Sequence, residues 1–299
     1  MDQPPATDFP AFKSDASRAR FLAAYDAVLK EWPVPYVELD VPTCIGPTHV
    51  IASGASDAPP LVLLPSFAGT ATVWRVNVED LSRHFRCYAV DVVGQPGKSI
   101  TTQGSLDRHQ FGAWLADVLD GLAVARAALV GCSFGAFLAL NQAALMPDRV
   151  QRVVAISPVG VFKSQFLRLV YAMIIKGTIR RIFRRLTRSK RAPSMADLGI
   201  LPGDAAWGTL MGVTMAEAPR LSAIQPAKFR KDEIRTIRAP TLILIGDKER
   251  LYDPRRMLRV ASRDMPHARC EIVRDADHIA AMAQPAEVDA TIVRFLLAQ

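Results

Sequence analysis

Paired cysteines, aromatic side chains and long apolar runs are all scarce in this sequence. The four cysteines, Cys44, Cys87, Cys132 and Cys270, lie far apart and form no Cys-x-x-Cys pair. This spacing predicts reduced thiols and disfavours a zinc site, so no bound metal is expected. Aromatic residues make up 7% of the chain, which argues against a surface that stacks on RNA bases or sugars.

No apolar run reaches the roughly 18 residues that a membrane-spanning helix needs. The first residues, MDQPPATDFPAF, lack the charged and apolar regions of a secretory signal peptide. Together with the unpaired cysteines, these absences predict a cytoplasmic protein. With 299 residues, 50% of them hydrophobic, the chain can form one large α/β domain with an insertion, or two domains.

Positive charge is concentrated in one segment. The net charge is +8, yet residues 163–191 contain ten Lys or Arg and no acid, so the remainder carries −2. Five arginines share one face of a predicted amphipathic helix there: Arg180, Arg181, Arg184, Arg185 and Arg188. The simpler interpretation is a solvated face, and the second is contact with anionic lipid headgroups or acidic substrates. Nucleic acid is disfavoured, because the sequence contains no recognised binding module.

Short apolar strands alternate with helical stretches along most of the chain. Strands are predicted at 36–41, 48–52, 61–64, 87–92, 128–131, 152–156, 241–245 and 270–273, and helices at 18–30, 107–123, 134–146, 254–264 and 286–298. This alternation predicts an α/β fold with a mostly parallel sheet covered by helices on both faces. It stops after the sixth strand, so we predict a core segment 1–158, a helical insertion 159–238 and a second core segment 239–299.

The motif Gly131-Cys132-Ser133-Phe134-Gly135 joins a predicted strand to a predicted helix. A turn this sharp leaves no room for side chains two residues before and after the serine, which explains both glycines. It would present the Ser133 hydroxyl at the carboxyl edge of the sheet, beside helix amides that favour negative charge. The plainer alternative is a tight turn with an incidental serine, and the strand–turn–helix context favours a nucleophile.

The order of elements, this turn, the insertion and a late acid and histidine resemble the α/β-hydrolase superfamily over nearly the whole chain. The resemblance is to its capped serine carboxylesterase-like members. It implies the α/β-hydrolase fold, a helical cap at 159–238, and a catalytic serine, histidine and acid that require no cofactor. Trp207, Met211 and Met215 would line the pocket of such a cap, although a helical stripe of this kind is more often core.

A serine nucleophile needs a base, and the chain offers five histidines. Four lie in a predicted strand, in helical stretches or in a turn: His49, His84, His109 and His267. His278 follows the last predicted strand in Arg-Asp-Ala-Asp-His-Ile, which resembles the catalytic-histidine loop of the family. We therefore predict His278 as the base.

The base needs a carboxylate to fix its tautomer. The family places that acid after the strand before the last one, or one strand earlier, where Ser157-Pro158-Val159-Gly160 offers none. The later position contains Asp247, Glu249 and Asp253. Glu249 occupies the usual place, whereas Asp247 is close to the strand end and Asp253 precedes Pro254 as a helix N-cap. Glu249 is favoured, with Asp247 and Asp253 as alternatives.

Attack on a carbonyl creates an oxyanion that needs fixed donors. The resemblance implies the backbone N–H groups of Phe134, after the nucleophile, and Phe67, in the loop after the strand 61–64. That loop reads Pro-Ser-Phe-Ala-Gly where much of the family has His-Gly-x-x-Gly. Nearby, Gly97-Lys98-Ser99 is similar to the end of a phosphate-binding loop, but the required earlier glycine is Val92. We assign that loop a structural role.

Together these features predict a serine hydrolase for carboxylic esters with hydrophobic acyl or alcohol groups. Hydrolysis of C–C, lactone or amide bonds would use the same residues and remains an alternative. A catalytically silent ligand-binding protein on the same scaffold is the other alternative, because fold does not determine function. The expected partner is a small-molecule ester, and the sequence does not predict an oligomeric state.

Overall fold

The computed structural model describes residues 8–162, 205–217, 219–224 and 229–298. Within these ranges eight strands form one sheet. They are β1 (Tyr36–Val41), β2 (Thr48–Ser53), β3 (Pro60–Leu64), β4 (Arg86–Val90), β5 (Ala127–Cys132), β6 (Val150–Ile156), β7 (Thr241–Gly246) and β8 (Arg269–Val273). Their order in the sheet is β1-β2-β4-β3-β5-β6-β7-β8. Only β2 runs against its neighbours among these strands, as the predicted hairpin of β1 and β2 requires.

Helices cover both faces of this sheet. The described helices are α1 (Asp15–Leu29), α2 (Val78–Leu81), α3 (Arg108–Gly121), α4 (Phe134–Leu145), α5 (Ala205–Glu217), α6 (Lys231–Thr236), α7 (Pro254–Asp264), α8 (Ala280–Ala283) and α9 (Pro285–Leu297). Short 3₁₀ turns lie at Ala71–Val76 and Pro147–Arg149, and Ser105–Leu106 pairs with Ala223–Ile224. The architecture is the α/β-hydrolase fold that the resemblance implies.

Successive residues of a central strand face opposite helical layers. Leu61 and Leu63 of β3 pack in one core with α1, α8 and α9, whereas Val62 and Leu64 pack in the other with α3 and α4. All four side chains are fully buried. The wholly apolar strands of the sequence therefore reflect burial on both faces, as expected in a parallel sheet.

Element boundaries differ from the sequence prediction where a polar side chain decides them. Helix α1 begins at Asp15, before the predicted residue 18, because the Ser14 hydroxyl accepts a hydrogen bond from the Ser17 amide. Strand β4 ends at Val90, because the Asp91 carboxylate bends toward the amides of Ala71 and Lys98. Hydrophobic periodicity does not report hydrogen bonds made by polar side chains, which explains both differences.

The predicted insertion at 159–238 falls largely outside the described residues, including all of 163–191. The part described is anchored to the core. Trp207 and Met211 of α5 are buried in the core layer that contains α1, while Met215 is exposed. Glu217 accepts hydrogen bonds from the Ser17 hydroxyl and the Arg20 guanidinium. Trp207 and Met211 therefore belong to the core, the plainer alternative for this stripe, and the cap itself stays a prediction.

Among the helices of the described ranges, none has both the length and the apolar character needed to cross a membrane.

A buried acid links the last helix to α2. The Asn77 amide donates to the Asp289 carboxyl over 2.8 Å and to the Ala281 carbonyl over 2.9 Å. The second Asp289 oxygen has no partner among the described residues. Burial therefore raises the pKa of Asp289 to about 8. At neutral pH this residue is a protonated acid.

We expect Asp289→Asn to stabilise the protein at alkaline pH. The raised pKa means that folding retains a proton, so the stability contributed by the neutral acid is complete near pH 4 and is lost as pH rises toward 8. An amide imitates the neutral acid without this loss. The gain in unfolding free energy should be on the order of 2–4 kcal/mol at pH 8 and much smaller at pH 5.

Thermal unfolding at pH 5 and pH 8 measures this difference. Glu287→Gln removes an exposed carboxylate from the same helix and serves as the matched control, with equal effects at both pH values. An Asp289→Asn variant that melts below the wild type at pH 8 would contradict the assignment of a neutral acid.

Candidate active site

Ser133 occupies a strained turn between β5 and α4. Its φ of 56° and ψ of −108° lie in a region that non-glycine residues rarely adopt, at a cost on the order of 1–3 kcal/mol. The Ser133 amide donates to the Ile156 carbonyl over 2.8 Å, which fixes the turn to β6. The hydroxyl therefore stands at the carboxyl edge of the sheet, at the N-terminus of a 12-residue helix.

The flanking glycines are required by close backbone approach. A Cβ on Gly135 would lie 2.1 Å from the Leu64 carbonyl oxygen, and a Cβ on Gly131 would lie 2.2 Å from the backbone of Gly135. Both distances are far shorter than a van der Waals contact. The atoms that would clash belong to the backbone, which cannot shift as a flexible side chain can. The steric explanation of the Gly-x-Ser-x-Gly motif therefore holds at both positions.

His278 connects the serine to a buried acid. Its Nε2 atom lies 2.9 Å from Ser133 Oγ, and its Nδ1 atom lies 2.6 Å from Glu249 Oε2. The Glu249 side chain has no exposed area. A carboxylate only accepts hydrogen bonds, so Nδ1 carries the proton and Nε2 is free to accept the Ser133 proton. This tautomer is the one that a general base requires.

The two alternative acids have other roles in the structure. Asp247 Oδ1 accepts a hydrogen bond from the Ala276 amide over 3.3 Å. Asp253 Oδ1 accepts from the Arg256 amide over 3.0 Å and caps α7, and this bond is the main cause of its lowered pKa. Neither carboxylate has a hydrogen bond or ion pair with His278 among the described residues. Of the three acids, the structure brings Glu249 to the imidazole.

Strand β7 and the histidine loop approach each other closely. A Cβ on Gly246 would lie 2.2 Å from the Ala276 carbonyl oxygen, so only glycine fits at the end of β7. The Lys248 amide donates to the same carbonyl over 2.9 Å. These contacts hold the loop that carries Glu249 against the loop that carries His278.

The Phe67 amide lies on the loop after β3, and the Phe134 amide begins α4 directly after the serine. Among the described residues, neither N–H group donates to a protein acceptor. Their rings meet edge to face, with centroids 6.3 Å apart. Phe67 is 54% exposed, which is unusual for a large apolar side chain beside a buried serine. Two backbone donors without a protein acceptor therefore lie on the loop after β3 and at the residue that follows Ser133, and the exposed Phe67 ring packs on the Phe134 ring.

The model of the alpha/beta hydrolase family matches residues 61–291 of this chain. The chain belongs to this family. The protein named uncharacterized carboxylesterase nap, from Bacillus subtilis (strain 168), is 30% identical over 283 residues, covering 94% of this chain and 93% of that protein. Carboxylesterase YbfK from the same organism is 32% identical over 298 residues, covering 95% of this chain and 96% of that protein.

Solved structures of similar proteins have the same fold. The crystal structure of naproxen esterase from Bacillus subtilis aligns with a TM-score of 0.80 at 30% identity, covering 95% of this chain and 99% of that chain. The crystal structure of carboxylesterase CesB (YbfK) aligns with a TM-score of 0.78 at 29% identity, covering 94% and 99% of the two chains. The likeness therefore extends over almost the full length of this hydrolase.

Sequence reasoning missed Asp91, which organises the loops behind the site. Its fully buried carboxylate accepts hydrogen bonds from the Ala71 amide over 2.6 Å and the Lys98 amide over 2.8 Å. Burial is the main cause of its raised pKa. The Ser99 hydroxyl donates to the Asp91 carbonyl. The Gly97-Lys98-Ser99 loop is thus held by hydrogen bonds to Asp91, and an acid directly after an apolar strand was the available signal.

No set of three His, Cys, Asp or Glu side chains in the described ranges is arranged to hold a metal ion.

The aromatic residues at the start of α4 form a continuous packed layer. Phe134 stacks on Phe137 at 5.9 Å, and Phe137 meets Phe229 edge to face at 5.4 Å. The Arg108 guanidinium lies over the Phe229 ring and pairs with Glu233. This layer supports the start of α4 from below.

Proposed function

We propose that this chain hydrolyses carboxylic esters through an acyl-enzyme on Ser133, with His278 as general base and Glu249 as the orienting acid. The observation that carries the proposal is the continuous hydrogen-bonded line from Ser133 Oγ through His278 to Glu249. The carboxylesterase names of relatives at about 30% identity support the choice of an ester bond. No cofactor takes part in this chemistry.

The proposed reaction begins when His278 Nε2 removes the Ser133 proton and Oγ attacks the ester carbonyl. The resulting oxyanion accepts hydrogen bonds from the Phe67 and Phe134 amides, which have no acceptor among the described residues. The tetrahedral intermediate collapses, and the alcohol leaves with the proton returned by His278. Water then attacks the acyl-enzyme by the same route and releases the acid.

Hydrophobic groups on the substrate are favoured by the exposed Phe67 ring, which packs on the ring of Phe134, the residue after the serine. The predicted cap at 159–238, with its basic segment 163–191, would complete the pocket and offer the proposed contact with anionic lipid. We also propose a cytoplasmic location. All four cysteines are free thiols, and burial raises the pKa of Cys87 and Cys132 to about 12, which keeps both unreactive.

A panel of p-nitrophenyl esters of increasing acyl length tests the proposal. We expect turnover by the wild type, with kcat/KM higher for medium-length acyl chains than for acetate, because a longer apolar chain buries more surface on aromatic residues. A folded protein that turns over none of these esters would favour the ligand-binding alternative. Turnover of lactone or amide substrates in place of esters would favour the alternative activity, in which the same residues hydrolyse those bonds.

A further inference from the structure

A pair of buried hydroxyl groups lies behind Glu249. Tyr252 follows β7 on the loop that carries the acid, and its ring meets the His278 imidazole edge to face, with centroids 6.3 Å apart at 85°. Ser157 follows β6, the strand beside β7, and is fully buried with a φ of 46°. Within the described ranges, neither hydroxyl has a hydrogen-bond partner.

The environment of Tyr252 shows which groups its hydroxyl faces. Burial is the main cause of its raised pKa, and the negative charge of Glu249 is the next. The Ser157 hydroxyl lowers the pKa of Tyr252, which is the effect of a group that donates to the phenol oxygen. A carboxylate only accepts hydrogen bonds, so in a hydrogen bond between these two groups the phenol O–H is the donor.

The Glu249 carboxylate has acceptor positions left for such a donor. Its carboxylate is fully buried and receives two hydrogen bonds, from His278 Nδ1 at one oxygen and from the Leu251 amide at the other, over 2.8 Å. A buried carboxylate offers about four acceptor sites and stays ionised only when they are well used. An unpaired buried hydroxyl is also costly, so a small rotation that joins the two groups is favourable.

We propose that Tyr252 and Ser157 are positioning residues, in which the Ser157 hydroxyl donates to Tyr252 and the Tyr252 hydroxyl donates to the Glu249 carboxylate. This inference rests on the proposed function, because it concerns the acid of the same site. The relay holds the Glu249 carboxylate aimed at His278 Nδ1. It also fills the position after β6 where the sequence offers no acid.

The other titratable or charged groups near the Glu249–His278 pair lie on the turn around Ser133 and on the loops that carry Glu249 and His278. The Cys132 thiol directly precedes Ser133, and its pKa is raised by burial and by the charges of Glu249 and Asp277. The remaining groups are Asp247, bonded to the Ala276 amide, the exposed Lys248–Asp275 ion pair, and Arg250. Replacing the Tyr252 hydroxyl by hydrogen leaves all of them in place, so a change in pH dependence reports on that hydroxyl.

The test is the pH dependence of kcat and kcat/KM for Tyr252→Phe on a p-nitrophenyl ester. We expect kcat to fall about tenfold, the value of one hydrogen bond to a charged group, with little change in KM. The acidic limb of kcat/KM should move to higher pH by up to about one unit, because a carboxylate with fewer donors raises the proton affinity of the Glu249–His278 pair. Ser157→Ala should produce a smaller shift of the same sign.

Tyr25→Phe is the matched control, since Tyr25 is a second buried tyrosine whose hydroxyl faces a carboxylate, Asp91, that is not part of the Glu249–His278 pair. It should leave the pH profile unchanged. A wild type with turnover and an unmoved acidic limb in both Tyr252→Phe and Ser157→Ala would overturn this inference alone. A folded wild type without turnover would overturn the proposed function and the inference with it.

Discussion

Ser133→Ala is expected to lower kcat for ester hydrolysis by about ten-thousandfold or more, with the fold intact. Ser133 Oγ is the atom that attacks the carbonyl. His278 Nε2 lies 2.9 Å from this oxygen and would accept its proton. Loss of this factor corresponds to about 5.5 kcal/mol of transition-state stabilisation. Alanine also removes a small polar group from a strained turn, so circular dichroism and the melting temperature should stay near wild-type values.

The measurement is steady-state hydrolysis of the best p-nitrophenyl ester from the panel. Ser53→Ala is a matched control, because Ser53 is a buried serine of β2 that accepts a hydrogen bond from the Trp32 indole. It should retain activity within a small factor. Equal turnover by Ser133→Ala and wild type would show that another residue is the nucleophile.

Glu249→Gln is the second substitution for which we expect a large effect, a fall in kcat of about a thousandfold to ten-thousandfold. Glutamine fills the same volume but carries no charge, and its amide can donate to Nδ1 and so favour the wrong imidazole tautomer. The imidazolium that forms during attack also loses its counter-charge. The substitution therefore removes orientation and electrostatic stabilisation together.

The alternative acids provide matched controls for this result. Asp247→Asn weakens a hydrogen bond to the Ala276 amide, and Asp253→Asn keeps a good N-cap residue, so both should lower kcat by less than about tenfold. A loss in Asp247→Asn or Asp253→Asn that equals the loss in Glu249→Gln would contradict the assignment of Glu249. The same ester assay distinguishes the three variants.

The sequence alone was sufficient to predict the turn around Ser133. The Gly-x-Ser-x-Gly motif has one steric explanation, and the structure places Gly131 and Gly135 against backbone atoms as that explanation requires. His278 was predictable because few histidines were available and one follows the last strand. Local sequence carries this information, since it depends on neighbours within a few residues.

The acid was harder to predict, because three carboxylates lie within seven residues of one loop. Which of them reaches His278 depends on the contact between β7 and the histidine loop, where Gly246 passes the Ala276 carbonyl. That contact joins segments about 30 residues apart and has no local signature. The proposed role of Tyr252 could not be predicted for the same reason, since Ser157 follows β6, nearly 100 residues earlier in the chain.

The pocket is the part that the sequence predicted least. The sequence favours core over pocket for the stripe that contains Trp207 and Met211, and their burial against α1 places both residues in the core. Their apolar character is the same in both settings, so periodicity could not distinguish them. The packing partner, α1, lies nearly 200 residues earlier in the chain and could not be inferred from a helical stripe.

The most direct test of the account is the site and rate of labelling by a fluorophosphonate, read by intact-mass and peptide mass spectrometry. We expect the folded wild type to gain one phosphonyl group, on the peptide that contains Ser133. We also expect His278→Ala to react at least about a thousandfold more slowly, because the hydroxyl loses its base. A label on a different residue, or equal labelling rates with and without the His278 imidazole, would contradict the claim that His278 activates Ser133.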